Sequence, residues 1–101
     1  MQQFSAVLYD YLDEDSYQEL QISLIERPDQ GDIIPGGGGI RKLRFAVQGK
    51  GKRGGVRVIY YWVTKVGQIY MIALYPKGRK DNLTDAEVAE FRGLVKEIEH
   101  G

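Results

Sequence analysis

Lys42 and Arg44 stand two residues apart in a stretch that alternates apolar and polar side chains, so a β-strand here carries both on one face. Arg57 lies at the start of the next β-branched, aromatic run, and Lys77, Gly78, Arg79 and Lys80 follow the run after that. If the three runs pair as a meander, these cations converge on one face of a sheet. A cluster of that kind holds phosphates, and it can stabilise the extra negative charge of a phosphorane-like transition state. Arginine inside a strand has fewer innocent explanations than lysine in a loop. Lys50, Lys52 and Arg53, in a glycine-rich loop, also suit a solvated basic face.

The same stretch is unusual in its charge. Between Ile33 and Lys80 there are eleven Lys or Arg and no Asp or Glu, although the whole chain has a formal net charge of zero. The acids lie on either side of this block. A positive block attracts polyanions even on a neutral molecule, which makes nucleic acid the first partner to consider. Tyr60, Tyr61, Trp62, Tyr70 and Tyr75 fall inside the block. Aromatics beside cations can stack bases, and they can equally be core. Alternation puts Val58, Tyr60 and Trp62 on one face and Arg57, Ile59 and Tyr61 on the other. The residues that share a face with Arg57 are the better candidates for substrate contact.

Several chemistries are excluded by composition. With no cysteine there is no disulfide, thiolate metal site or cysteine nucleophile. The one histidine, His100, sits next to the C-terminus and reads as a solvated tail residue, which removes histidine acid–base catalysis and multi-histidine metal sites. The basic block offers no carboxylate for Mg²⁺, so catalysis on RNA here is expected to need no cofactor and to rest on Lys, Arg and Tyr. The run GGGGIRK enters a strand, not a helix, and lacks phosphate-loop spacing. There is no membrane-length apolar run and no signal-peptide pattern, and the expected location is cytoplasmic.

At 101 residues the chain reads as a single domain over 1–101. Apolar positions Phe4, Val7, Leu8, Tyr11 and Leu12 follow helical spacing and predict a helix over about 3–12. Asp13 is a candidate cap for a second helix over about 14–27, with the stripe Tyr17, Leu20, Leu24 and a stop at Arg27-Pro28. Residues 28–39 read as a loop whose four closing glycines either form a mobile linker or let backbone pass close to a neighbour. Strands are expected over about 40–48, 56–63 and 69–75. Thr84-Asp85-Ala86-Glu87 is a capping box that opens a C-terminal helix over about 85–99 with Phe91, Leu94, Val95 and Ile98 inward. Gly93 inside it costs about 1 kcal/mol relative to Ala unless close packing demands a small residue. The expected fold class is α+β: N-terminal helices, a three-strand antiparallel meander and a C-terminal helix.

The successions Gly39-Ile40-Arg41-Lys42-Leu43-Arg44, Gly49-Lys50-Gly51-Lys52-Arg53-Gly54-Gly55-Val56-Arg57-Val58-Ile59-Tyr60-Tyr61, Leu74-Tyr75-Pro76-Lys77 and Asp81-Asn82-Leu83-Thr84 resemble the HigB branch of the RelE/ParE toxin superfamily. The similarity covers most of residues 17–98. It implies a ribosome-dependent mRNA endoribonuclease, the toxin of a type II toxin–antitoxin pair, whose partners are the ribosome, its mRNA and a cognate antitoxin of helix-turn-helix type. By position, Arg57 matches the arginine set against the scissile phosphate, and Lys42 and Arg44 match a basic strand on the same phosphate. Lys77 and Arg79 belong to the basic segment that completes the site. Arg41, Lys50, Lys52, Arg53, Tyr61 and Lys80 are the further nucleic-acid contacts. The implied reaction is attack of the 2′-hydroxyl on the adjacent phosphorus, giving a 2′,3′-cyclic phosphate.

Two departures from the family pattern shape the expectations. Residues 81–84 lack the tyrosine or histidine that many relatives place there, leaving Tyr75, Tyr61 or a lysine of lowered pKa as the general base. The family fold opens with a strand, whereas Phe4 to Leu12 read as a helix, which predicts an exposed sheet edge. Other functions fit the same fold: a gyrase-directed inhibitor of the ParE type, which is an interaction protein, or a nucleic-acid-binding module without catalysis.

Overall fold

The computed structural model describes residues 14–46, 55–76 and 83–100. The helix expected over 3–12, the Asp13 cap and the sheet edge that would follow from a helical N-terminus lie outside these residues. Helix α1 spans Glu14–Glu26, with Glu14 and Asp15 in its first turn, where the helix dipole favours acids. Ser16, Leu20 and Leu24 form its buried stripe. The stop has two causes. Pro28 disfavours a helical Arg27, and the Gln30 side-chain amide donates to the carbonyl of Ser23 at 3.0 Å and to that of Arg27 at 3.1 Å, tying the following loop to the end of the helix.

Four strands follow: β1 Asp32–Ile33, β2 Ile40–Phe45, β3 Val56–Val63 and β4 Gln68–Pro76. They form one antiparallel sheet in the order β1-β2-β3-β4. Among the described residues the three-strand expectation is therefore corrected to four. The loop expected over 28–39 contains β1, which pairs Asp32 with Lys42 and Ile33 with Arg41. Two residues are too few to show a period, so nothing local marks them as a strand. The glycines that close the loop serve close approach. Gly39 has φ +116 and a side chain there would meet the Tyr61 ring at 2.9 Å, while one on Gly38 (φ +78) would press on Arg92 at 3.3 Å.

Helix α2 spans Asp85–His100. Its capping box forms as expected: the Glu87 amide donates to Thr84 Oγ1 at 3.1 Å and the Thr84 amide to Glu87 Oε1 at 2.9 Å. The two helices cover opposite faces of the sheet. Leu20 and Leu24 of α1 pack on Leu43, Val56, Val58, Tyr60 and Leu74. Val95, Phe91 and Leu94 of α2 belong to the cluster of Ile40, Ile59, Ile72 and Tyr75 on the other face. An irregularity opposite Ile59 and Tyr60 inserts one extra residue, Ile72, into β4. Because of that bulge Ala73 and Tyr75 stay in phase with Ile59 and Arg57, while Met71 and Ile69 face α1. No helix among the described residues is long and apolar enough to cross a membrane.

Candidate functional site

The sheet register builds the site. Arg44 stands directly opposite Arg57, and Arg57 directly opposite Tyr75. Direct cross-strand partners share a face, with Cβ atoms about 5 Å apart. Lys42 is on the same face, opposite Ile59 and about 7 Å further along β2. Three of the predicted cations and one tyrosine thus occupy two adjacent rows. Like charges directly opposite one another destabilise a sheet. Arg57 is also only 6% exposed, where an uncompensated cation is costly. Among the described residues neither Arg44 nor Arg57 has a hydrogen-bond or ion-pair partner. Two arginines in direct cross-strand register suit an anion held between their strands.

Helix α2 covers the face that carries this row. The Tyr61 hydroxyl donates to the carboxylate of Glu99 in the last turn. Lys42 shares a cleft with Asp85 and Val88 in the first turn. The Arg44–Arg57–Tyr75 row lies on the α2 side of the sheet, where Tyr75 belongs to the cluster of Val95, Phe91 and Leu94. The first-turn amide of Glu87 is bonded to Thr84 Oγ1.

Two predicted contacts are placed elsewhere. Arg41 pairs with Tyr60, on the face opposite Arg57. Its guanidinium donates to the carbonyls of Asp29 at 3.1 Å and Gly31 at 2.8 Å and lies 5.9 Å from the Trp62 ring centroid. It straps the 28–31 loop to the sheet. Tyr61 shares the face of Arg57 but is four residues away, about 13 Å along the strand. Its bond to Glu99, with some burial, pushes its hydroxyl up to about 12. A phenol held protonated at that distance is poorly placed as a base for the Arg57 row. Tyr75, by contrast, is buried directly beside Arg57.

Tyr60 proves to be core, not a stacking platform. Its hydroxyl accepts from the Gly31 amide at 2.9 Å and donates to the Pro28 carbonyl at 2.7 Å. Burial pushes that phenol up, against the opposing amide bond from Gly31.

The acid-free character of the block is a property of the chain and not of the folded surface. Asp32 is the cross-strand partner of Lys42, and Asp32 and Asp85 line one cleft of about 390 Å³ with Lys42, Ile34, Leu83 and Val88. Sequence reasoning missed both carboxylates, and Glu99 with them. Asp32 hides in a two-residue strand, and Asp85 reads only as part of a capping box. Lys50, Lys52, Arg53, Lys77, Arg79 and Lys80 lie outside the described residues.

A family model described as the RelE toxin of the RelE / RelB toxin-antitoxin system matches residues 16–100. That span takes in every strand and helix that positions the Arg44–Arg57–Tyr75 row.

Proposed function

The chain belongs to the RelE toxin family, the toxin side of a toxin–antitoxin pair, and from this premise we propose that it is a metal-independent endoribonuclease that cuts mRNA in the ribosomal A site. The observation that carries the reading is the Arg44–Arg57–Tyr75 row with Lys42 one step away. Its partners in the cell are then an antitoxin and the translating ribosome, and its place is the cytoplasm. The basic succession around β2 and β3 favours the HigB branch.

In this mechanism the scissile phosphate sits between Arg44 and Arg57. The 2′-oxygen of the preceding nucleotide attacks phosphorus and the P–O5′ bond breaks. A 2′,3′-cyclic phosphate and a 5′-hydroxyl result. The 2′-hydroxyl proton is taken up as the P–O bond forms, and a proton is delivered to the departing 5′-oxygen. Negative charge grows on the non-bridging oxygens in the transition state. Two arginine forks approaching from adjacent strands match that charge better than they match the ground state. Lys42 is the weaker cation, because Asp32 lies opposite it. Tyr75 is the phenol nearest the phosphate and is assigned the proton transfer, in preference to Tyr61. Lys77 and Arg79, which lie outside the described residues, are assigned to the same site on the strength of the resemblance. Since no side chain here is a strong base at neutral pH, alignment of the 2′-hydroxyl by the ribosome supplies much of the rate.

The test is inducible expression in a bacterial host, wild type beside Arg57→Ala, with primer extension on a reporter mRNA. Cleavage within translated codons that disappears in a folded Arg57→Ala variant is the expected result. Growth arrest with intact mRNA would refute it and move the protein to the gyrase-directed class.

A further inference from the structure

The cleft that Lys42 shares with the start of α2 has a composition the cleavage reaction does not use. Ile34, Leu83 and Val88, all half-buried, give it apolar walls. Asp32 and Asp85 place two carboxylates in it. On a face built to hold a polyanion, carboxylates lower affinity for the strand as a whole. Retaining them makes sense where they meet a donor. We propose that this cleft receives the nucleobase next to the scissile phosphate, and that Asp32 and Asp85 select bases bearing an exocyclic amino group against uracil.

Three observations carry the assignment. The first is continuity. Lys42 belongs both to the cationic face and to the cleft wall, and it is only about 7 Å along β2 from Arg44. A strand held at Arg44 and Arg57 therefore reaches the cleft within one nucleotide. The second is shape. A volume of about 390 Å³ with apolar walls accommodates a planar base, and unstacked bases are what proteins read in single-stranded RNA. The third is the chemistry of the polar groups. An ionised carboxylate only accepts hydrogen bonds. Cytosine, adenine and guanine present amino donors, whereas uracil presents one N–H between two carbonyl oxygens that a carboxylate repels. Guanine, with two adjacent donors, can engage one carboxylate through both oxygens.

This inference rests on the cleavage reading, so the experiment separates the two. Wild type, Asp32→Asn, Asp85→Asn and the double variant are compared in two assays, with folding of each confirmed by circular dichroism. In the first, 5′ ends of cleaved mRNA are sequenced and base frequencies tabulated around the cut. In the second, binding is measured at fixed salt for fluorescein-labelled oligouridine hexamers carrying a single A, C or G. Wild type is expected to disfavour uracil at one fixed position beside the cut, and to bind the substituted hexamers roughly tenfold more tightly than oligouridine. The double variant should lose that discrimination while binding all RNAs more tightly, since two negative charges are gone. A uniform gain with discrimination intact would assign the acids a purely electrostatic role and overturn the proposal. Cleavage with an unchanged base profile in the double variant also overturns it and leaves the nuclease reading standing. Base-selective hexamer binding without mRNA cleavage would sink the nuclease reading and keep the cleft as a base site. Loss of antitoxin binding in the variants, with base selectivity unchanged, would make the cleft a protein-docking surface and reject the base assignment.

Discussion

The two faces of the sheet use the same residue types to opposite ends. Under α1, the Arg41 guanidinium and the Tyr60 hydroxyl are bonded to the 28–31 loop, and Tyr60 is fully buried. Under α2, Arg57 stands opposite another arginine, and among the described residues it has no partner. Arg41 and Arg57 are both strand arginines, and Tyr60 and Tyr61 are neighbours in the chain. The contrast teaches that strand phase sorts the cations into those bonded to the scaffold and those left without a described partner: one residue step decides which face a side chain joins.

The largest effect expected from breaking that contrast is on activity. Arg57→Ala should lower cleavage by about 100-fold or more, the scale for removing one preorganised donor from a transition state. Its unfolding midpoint should stay close to wild type, because the substitution also removes the repulsion with Arg44. Arg41→Ala should do the reverse, costing about 1–2 kcal/mol through lost carbonyl bonds and the Trp62 contact while cleavage persists. Parallel primer extension and urea titration check both, and equal losses of stability in the two variants would erase the distinction.

Tyr60→Phe sharpens the side under α1. It leaves the Gly31 amide and the Pro28 carbonyl without their shared partner, at a cost of about 2 kcal/mol. Denaturant midpoints at constant m-value are the readout.

Tyr61→Phe tests the latch between β3 and the last turn of α2. The loss should be about 1 kcal/mol at neutral pH, and its pH dependence carries the diagnosis. The Tyr61 hydroxyl is raised from 10.0 to about 12, chiefly by its bond to Glu99. A raised value means that the folded state holds the proton more tightly. The contribution is thus complete below pH 10 and is lost as pH climbs through about 12. Melting curves of wild type and Tyr61→Phe should converge over that window, and a gap that stays constant would argue against the latch.

The smallest effect concerns Gly93. A methyl group at this position meets nothing within 4 Å, so no packing requirement excuses the glycine. Gly93→Ala should stabilise the protein by roughly 0.5–1 kcal/mol, seen as a rise in Tm with cleavage unchanged.

Much of this arrangement is legible in the chain. The alternation Leu43, Phe45 against Lys42, Arg44 places the cations on one face, and the phase of Arg57, Ile59 and Tyr61 follows in the same way. The capping box at Thr84 is a local signal that the fold realises. Local patterns fail where partners are distant in sequence. Nothing near Arg41 reveals that its guanidinium will bind the carbonyls of Asp29 and Gly31, so it reads as one more cation of the block. Nothing near Tyr61 reveals Glu99.

The sequence by itself determined which side chains share a strand face, where α1 ends and where α2 begins, because periods of 2 and 3.6, the Arg27-Pro28 stop and end-capping act within a few residues. Only the tertiary structure decided which acids return to the basic block, which of two neighbouring tyrosines is core, and which strand arginine is bonded to loop carbonyls while another faces an arginine across the sheet. Those outcomes depend on how β1 folds back and on where α2 ends over the sheet, and packing across dozens of residues sets both.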